Sequence, residues 1–303
     1  MLPDGRRLHL QDGPIDLIIG ADGEAAEIRR GYEAAAARFE TILDELCAEL
    51  AILRQRSSGC SAQPSGAVAC CMADAVSPYS VRCFITPMAA VAGAVAETVL
   101  SAMTGTVTLR RAYVNNGGDI ALYLNSGESY TIGMIERPDN PSLFGSVDIS
   151  EESLVRGIAT SGWRGRSFSL GIADAVTVLA ESASAADAAA TVIANAVDLQ
   201  NHPAVQRVPA REIAPDSDLL DLPVTRHVGA LSAQEIMEAV GSGMKVAQEL
   251  RTERLIHSAA LCLQGRMTVL NVSSEKHFLG THTVPVRGQQ QIVLENIACL
   301  KFE

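Results

Sequence analysis

The sequence predicts an α+β fold in which antiparallel sheets are backed by helices, and three observations carry that prediction. The first is one long run with a single apolar face. Ile28, Tyr32, Ala35, Phe39, Ile42, Leu46, Leu50 and Leu53 recur at steps of three and four residues, which predicts a helix over residues 24–56. The second is turn chemistry between short extended runs: Asp12-Gly13-Pro14, Asn115-Asn116-Gly117-Gly118 and Gln264-Gly265 each join two such runs, as hairpins do. The third is order. Hairpin, helix, helix, hairpin in the first part is followed by extended runs at 130–135 and 143–149, helices at 184–199 and 232–250, and a final hairpin. This reads as a single domain over 1–303 built by tandem duplication, with halves of approximately 1–126 and 127–303.

The individual elements follow from local signals. Extended runs at 9–11 and 15–19 flank the first turn, and those at 107–114 and 119–124 flank the second. Residues 57–79, rich in Ser, Gly, Cys and Pro, break the helical pattern and read as a loop or irregular crossover. Pro87 suits a first helical position, and Val91, Val95, Val99 and Met103 then share one face until Gly105. Ser232 with Glu235 forms a capping box that starts the last helix, and runs at 255–263 and 267–272 close the final hairpin. The tail at 292–302 reads as one more apolar strand.

The chain has 303 residues, 48% of them hydrophobic, and a formal net charge of -11. That apolar content suffices for a large core. The acidity, with no basic tract, argues against nucleic acid as a partner, since phosphate-backbone binding needs clustered Lys and Arg. The apolar stretch 88–103 contains Glu97 and is too short for a bilayer, so it reads as a buried helix; residues 1–13 lack the apolar core of a secretory signal. The expectation is a cytoplasmic protein with no membrane partner. Seven cysteines, Cys47, Cys60, Cys70, Cys71, Cys83, Cys262 and Cys299, show no disulfide-scaffold spacing and read as reduced thiols. Residues 60–71 also admit a metal or redox loop, although no Cys-x-x-Cys pair supports it.

Several residues admit both a chemical and a plain structural role. Asp187 and Thr191 lie one helical turn apart and can face one hard cation; alternatively Ser184 caps this helix and Asp187 sits at its third position, favoured by free backbone N–H groups. Asn116, Gly117, Gly118 and Asp119 suit close approach of backbone to a ligand, or simply a hairpin turn. Thr160, Ser161, Gly162, Trp163, Arg164, Arg166 and Ser167 place hydroxyls and guanidinium groups around two glycines, a composition suited to phosphate. Trp163 either stacks on a flavin or adenine ring or packs over the core. Glu97 either finds a buried partner or faces water. His202, His227, His257, His277 and His282 show no ligand spacing.

Three segments, taken in order, resemble the ApbE-type flavin-transferase superfamily. Residues 91–97 (Val-Ala-Gly-Ala-Val-Ala-Glu) resemble its Ala-Lys-Gly-Tyr-Ala-x-Asp helix, and residues 114–120 (Val-Asn-Asn-Gly-Gly-Asp-Ile) its Asn-x-Gly-Gly-Asp-Ile turn. Thr160-Ser161-Gly162, Val176-Thr177-Val178 and residues 186–191 are similar to its Thr-Ser-Gly, Val-Thr-Val and Ala-Asp-Ala-x-x-Thr series. The run 165–174 (Gly-Arg-Ser-Phe-Ser-Leu-Gly-Ile-Ala-Asp) looks like that of the UPF0280 branch. The resemblance implies the tandem T-fold, a flavin nucleotide (FAD or FMN), and Mg2+ held by an Asp/Thr pair, here Asp187 and Thr191, plus a backbone carbonyl. The family lysine is Ala92 here, and the short run 166–174 replaces the long His-x-x-Asp-Pro-x-Thr-Gly segment. The resemblance therefore implies binding of a flavin or other phosphorylated small molecule without covalent FMN transfer, with the catalytic residues left unassigned. If the chain is an enzyme, it would be a Mg-dependent transferase or hydrolase. Open beside this are a non-catalytic or sulfur-handling accessory role in sulfide assimilation and homocysteine synthesis, with Cys70 or Cys71 as carrier, and assembly as a homodimer.

Overall fold

Gly13-Pro14 turns the chain between β1 (Leu8–Asp12) and β2 (Ile15–Asp22), which pair antiparallel from Leu8 opposite Ile19 to Asp12 opposite Ile15. The computed structural model describes residues 1–58, 63–135, 143–270, 279–280 and 291–293. After β2 comes α1 (Ala25–Leu53), whose predicted stripe is its buried face: Tyr32, Ala35, Phe39, Ile42, Leu46 and Leu53 are all buried. Burying large apolar side chains of this kind contributes about 1.5–3 kcal/mol each. The segment expected to be a loop contains α2 (Ala67–Val76). Pro64 and Gly66 end the irregular stretch, and in the small apolar run after them Val68, Ala69, Met72 and Val76 are buried. Cys70 and Cys71 therefore ride on a helix and are only partly exposed, while Cys60 and Cys299 lie outside the described residues.

A 3-10 turn, Pro87–Ala90, with proline at its start leads into α3 (Val91–Thr104). Its apolar character is explained by burial of Ala94, Val95, Val99, Leu100 and Met103 in the core. Then come β3 (Arg111–Asn116), shorter at its start than the expected run, and β4 (Asp119–Leu124). β5 (Ser129–Ile135) and β6 (Leu143–Ser150) follow as expected. Two strands went unrecognised in the sequence, β7 (Gly157–Ser161) and β8 (Ala175–Ala180). Every residue of β8 is buried, so it lacks the alternation by which a half-exposed strand announces itself. After α4 (Ala183–Ala196), a ribbon of β9 (Val205–Pro209) and β10 (Pro223–Val228), joined through α5 (Ala210–Ile213), was also not foreseen.

The capping box at Ser232 and Glu235 is present and opens α6 (Ala233–Thr252). The final hairpin is β11 (Ser258–Leu263) and β12 (Arg266–Leu270), turned at Gln264-Gly265 with positive φ at both residues. β13 (Leu279–Gly280) pairs antiparallel with β6, and β14 (Gln291–Val293) pairs parallel with β5. The start of the expected tail strand is thus paired; residues 294–302 lie outside the described set, as do His277 and His282.

The chain divides into two compact units. The first comprises Met1–Ser129, Ser150–Ala159 and Ala180–Ala188. Its strands run in the order β1-β2-β3-β4-β7, with α1 and α2 packed on α3 and α3 packed on β3 and β4. The second comprises Tyr130–Ile149, Thr160–Leu179 and Ala189–Glu303. Here β8, β11 and β12 are neighbours in that order, α6 covers β11 and β12, and a separate sheet runs β13-β6-β5-β14. The architecture is mixed helix and sheet with largely antiparallel pairing.

Candidate functional site

In the first unit the candidate residues gather around the start of α3. Asn116 stands opposite Asp119 in the β3–β4 register, leaving Gly117 and Gly118 as a two-residue turn with φ of 65° and 113°. Both positions lie in the left-handed region, which is why both are glycine. Asn115 Oδ1 accepts from Gly118 N at 2.8 Å and fixes the turn from within. The buried Asn116 donates its side-chain amide to the Ala92 carbonyl at 3.1 Å, tying the hairpin to the first turn of α3.

Asp187 reaches the same place from α4. Its carboxylate accepts from Gly93 N at 3.0 Å. The reading in which Ser184 caps α4 is corrected by the geometry: Ser182 Oγ accepts from Ala185 N at 3.2 Å, and Ala186 N donates to the Ser182 carbonyl. The cap therefore lies two residues earlier than expected, and Asp187 falls past the third position. Its carboxylate serves another helix rather than its own. Burial pushes the Asp187 carboxyl well above the usual carboxylate range, and the nearby Asp119 carboxylate adds to the rise; the N–H groups of Gly93 and Ala92 oppose it.

This juxtaposition depends on a close approach of main chains. A Cβ on Gly93 would stand 2.2 Å from the Ala183 carbonyl oxygen, and one on Gly157 would stand 2.0 Å from the Ser182 carbonyl. Glu97, the carboxylate in the apolar helix, has its partner: Ser184 donates to Glu97 Oε2 from Oγ at 2.9 Å and from N at 3.3 Å. Burial pushes the Cys71 thiol up to about 11, against the lowering influence of the Ser184 hydroxyl. Cys70 donates to the Pro64 carbonyl at 3.2 Å.

In the second unit the loop after β7 is built around a residue that the sequence reading left without a role, the buried Asp174. Its Oδ1 accepts from Arg164 Nε at 2.6 Å and Trp163 Nε1 at 3.2 Å, and its Oδ2 accepts from Gln264 N at 2.5 Å. The Arg164 guanidinium lies over the Trp163 ring, 4.4 Å from its centroid. Trp163 N donates to the Ala173 carbonyl at 3.0 Å and closes the loop at its base. The following stretch is anchored on the end of α4, where Asn195 Oδ1 accepts from Leu170 N and Ser169 Oγ. Thr160 pairs with Thr177 at 2.9 Å, Ser161 and Thr191 are partly exposed, and Arg166 and Ser167 are exposed. Nothing in the local pattern around Asp174 marks it, because its partners stand 10, 11 and 90 residues away.

A family profile described as "AbpE bacteria" matches residues 1–269. The chain belongs to this family. It is an ApbE-like protein of the UPF0280 branch, and its similarity to named relatives is partial. A UPF0280 protein of Methanopyrus kandleri is 41% identical over 160 residues, covering 52% of this chain and 61% of the relative. Another, from Methanothermobacter thermautotrophicus, is 40% identical over 125 residues, covering 41% of this chain and 47% of the relative. The chain thus spans about half the length of the curated relatives it matches. Among solved structures, the ApbE protein of Thermotoga maritima aligns over 89% of this chain and 98% of its own at 12% identity, TM-score 0.45. The flavin transferase ApbE of Vibrio cholerae aligns over the same shares at 14% identity, TM-score 0.45.

Proposed function

We propose that this ApbE-like protein binds a flavin or other phosphorylated small molecule together with Mg2+, and that it does so without transferring FMN covalently. The observation that carries the reading is the placement of two carboxylates at the start of α3: Asp187 accepts from Gly93 N at 3.0 Å, and Asp119 follows the Gly117-Gly118 turn that Asn116 ties to the Ala92 carbonyl. A divalent cation held by two such carboxylates offsets their mutual repulsion. The donors fit Mg2+: it takes hard oxygen ligands, is commonly held by one or two carboxylates, and keeps several waters. Among the described residues there is no cluster of three or more His, Cys, Asp or Glu side chains of the kind a structural transition-metal site needs. Asp187 and Asp119 would hold the ion, with Thr191 one turn further along α4; when bound, it would neutralise phosphate oxygens.

Within the second unit, the exposed Arg166 and Ser167 offer a guanidinium and a hydroxyl to an anionic group. The Arg164 guanidinium over the Trp163 ring and the Trp163 N–H bond to Asp174 support a structural part for Trp163 in this reading. Ala92 and the short run 166–174 support binding without covalent transfer. The duplicated T-fold belongs to the same proposal. A sulfur-carrying role for Cys71 has less support, since a thiol pushed up to about 11 is a poor nucleophile at neutral pH.

Thermal denaturation with FMN, FAD or ADP, each with and without Mg2+, tests the proposal. A ligand that binds the native state raises Tm, and the rise grows with the logarithm of free ligand above Kd. The expected result is a rise that needs both nucleotide and Mg2+ and is lost in the Asp187→Ala, Thr191→Ala double variant. A purified protein that carries no chromophore and shifts with none of these ligands would overturn it.

A further inference from the structure

Asp174 is a buried carboxylate of the second unit, and among the described residues the side-chain and main-chain groups that donate to its carboxylate belong to the loop after β7 or to the β11–β12 turn. Three donors converge on it: Arg164 Nε, Trp163 Nε1 and Gln264 N. Burying a carboxylate costs free energy unless a countercharge and hydrogen bonds compensate, and here Arg164 supplies the charge while the other two donors add hydrogen bonds to both oxygens. Arg164 is thereby committed. Its Nε faces Asp174 and its guanidinium plane lies on the Trp163 ring. Arg166 has the opposite character, exposed and with no hydrogen bond or ion pair among the described residues. The two arginines of one loop thus divide their tasks.

We propose that Asp174 is the positioning residue of this loop: it clamps Trp163 and Arg164 to the β11–β12 turn so that Arg166 and Ser167 project to receive the phosphate of an anionic ligand. The ligand half of this statement rests on the function proposed above; the clamp itself rests on the three hydrogen bonds alone. Ser167, Arg166 and the Gly165 backbone offer hydroxyl, guanidinium and amide donors, a set suited to a phosphate or diphosphate group.

Trp163 is the chain's single tryptophan, so its fluorescence reports on this loop and on nothing else. The experiment compares wild type, Asp174→Asn and Arg166→Ala in two measurements: emission maximum with acrylamide quenching in the absence of ligand, and titration with inorganic pyrophosphate and with FMN. Asn keeps the shape of Asp and loses its charge. The expected result for Asp174→Asn is a red-shifted, more readily quenched Trp163, near-native far-UV circular dichroism, and pyrophosphate affinity lower by about tenfold, the loss expected when a charged hydrogen-bond network is broken. Arg166→Ala should weaken pyrophosphate by a similar factor. If wild type binds pyrophosphate or FMN and Asp174→Asn matches it in emission, quenching and affinity, this inference is overturned while the ligand reading stands. If wild type responds to neither probe, the ligand reading falls and the positioning role falls with it. Should Asp174→Asn fail to fold, Arg164→Lys removes the Nε bond and the planar stack while keeping the charge, and the same two measurements decide.

Discussion

Replacing Gly93 by alanine places a methyl group 2.2 Å from the Ala183 carbonyl oxygen, 2.5 Å from its carbon and 2.8 Å from Ser184 N. The nearest of these is about 1.2 Å inside the 3.4 Å at which ordinary contact begins. All three atoms are main chain, so no rotamer change relieves them and α3 must move away from the start of α4. Overpacking of this kind costs about 1–3 kcal/mol. The same displacement breaks the Gly93 N bond to the Asp187 carboxyl, and an ordinary hydrogen bond contributes about 0.5–1.5 kcal/mol. The expected loss is about 2–4 kcal/mol in urea-induced unfolding at neutral pH. Gly241→Ala is the matched comparison: it lies inside α6 with nothing within 4 Å of its added Cβ, and alanine's helix propensity should stabilise it by about 0.5–1 kcal/mol. A Gly93→Ala protein within about 1 kcal/mol of wild type would refute the claim that these helices meet main chain to main chain.

Three further outcomes follow from the same geometry. Because the folded-state pKa of Asp187 is raised, its protonated form is favoured in the native protein; the resulting destabilisation is absent below the ordinary carboxylate range, grows as pH rises toward the raised value, and persists above it. Asp187→Asn should therefore remove that pH dependence and, without divalent cation, melt higher than wild type at pH 7; a Tm equal to or below that of wild type at every pH would contradict the assignment. Ser232→Ala deletes the capping box of α6 and should cost about 1 kcal/mol in urea unfolding, with no loss meaning the cap is idle. Iodoacetamide at pH 8 should modify exposed Cys47 well before Cys71, whose thiol is pushed up to about 11, and peptide mass spectrometry showing Cys71 labelled first would overturn that ordering.

Local order was readable where one face of an element meets solvent. The stripe from Tyr32 to Leu53 and the Ser232–Glu235 box are patterns within one helix, and the glycine turns at 117–118 and 264–265 are patterns within one hairpin. β8 was hidden because Ala175, Val176, Thr177, Val178, Leu179 and Ala180 are buried on both faces and alternate in nothing. α2 was hidden because Ala, Cys and Gly near prolines read as irregular chain until packing gives Val68 and Met72 a core to enter. At the candidate site the sequence pointed to Asp187 and Asp119, and it placed the cap of α4 two residues late because Ser182 and Ser184 are equally good capping residues. The roles of Asp174 and Glu97 depend on donors contributed from Gln264 and Ser184, roughly ninety residues away, and no local period records such a distance.

The approach of Gly93 and Gly157 to Ser182 and Ala183 also limits how this region can change over generations. Elsewhere in a core, a larger residue at one position is accommodated by a smaller or rotated one beside it. Here both surfaces are peptide groups, which cannot be exchanged for anything smaller, so the entrance to α4 has no compensating partner substitution open to it. Diversity near the acidic pair must therefore arise from the side chains that surround this seam, while the seam itself stays as it is.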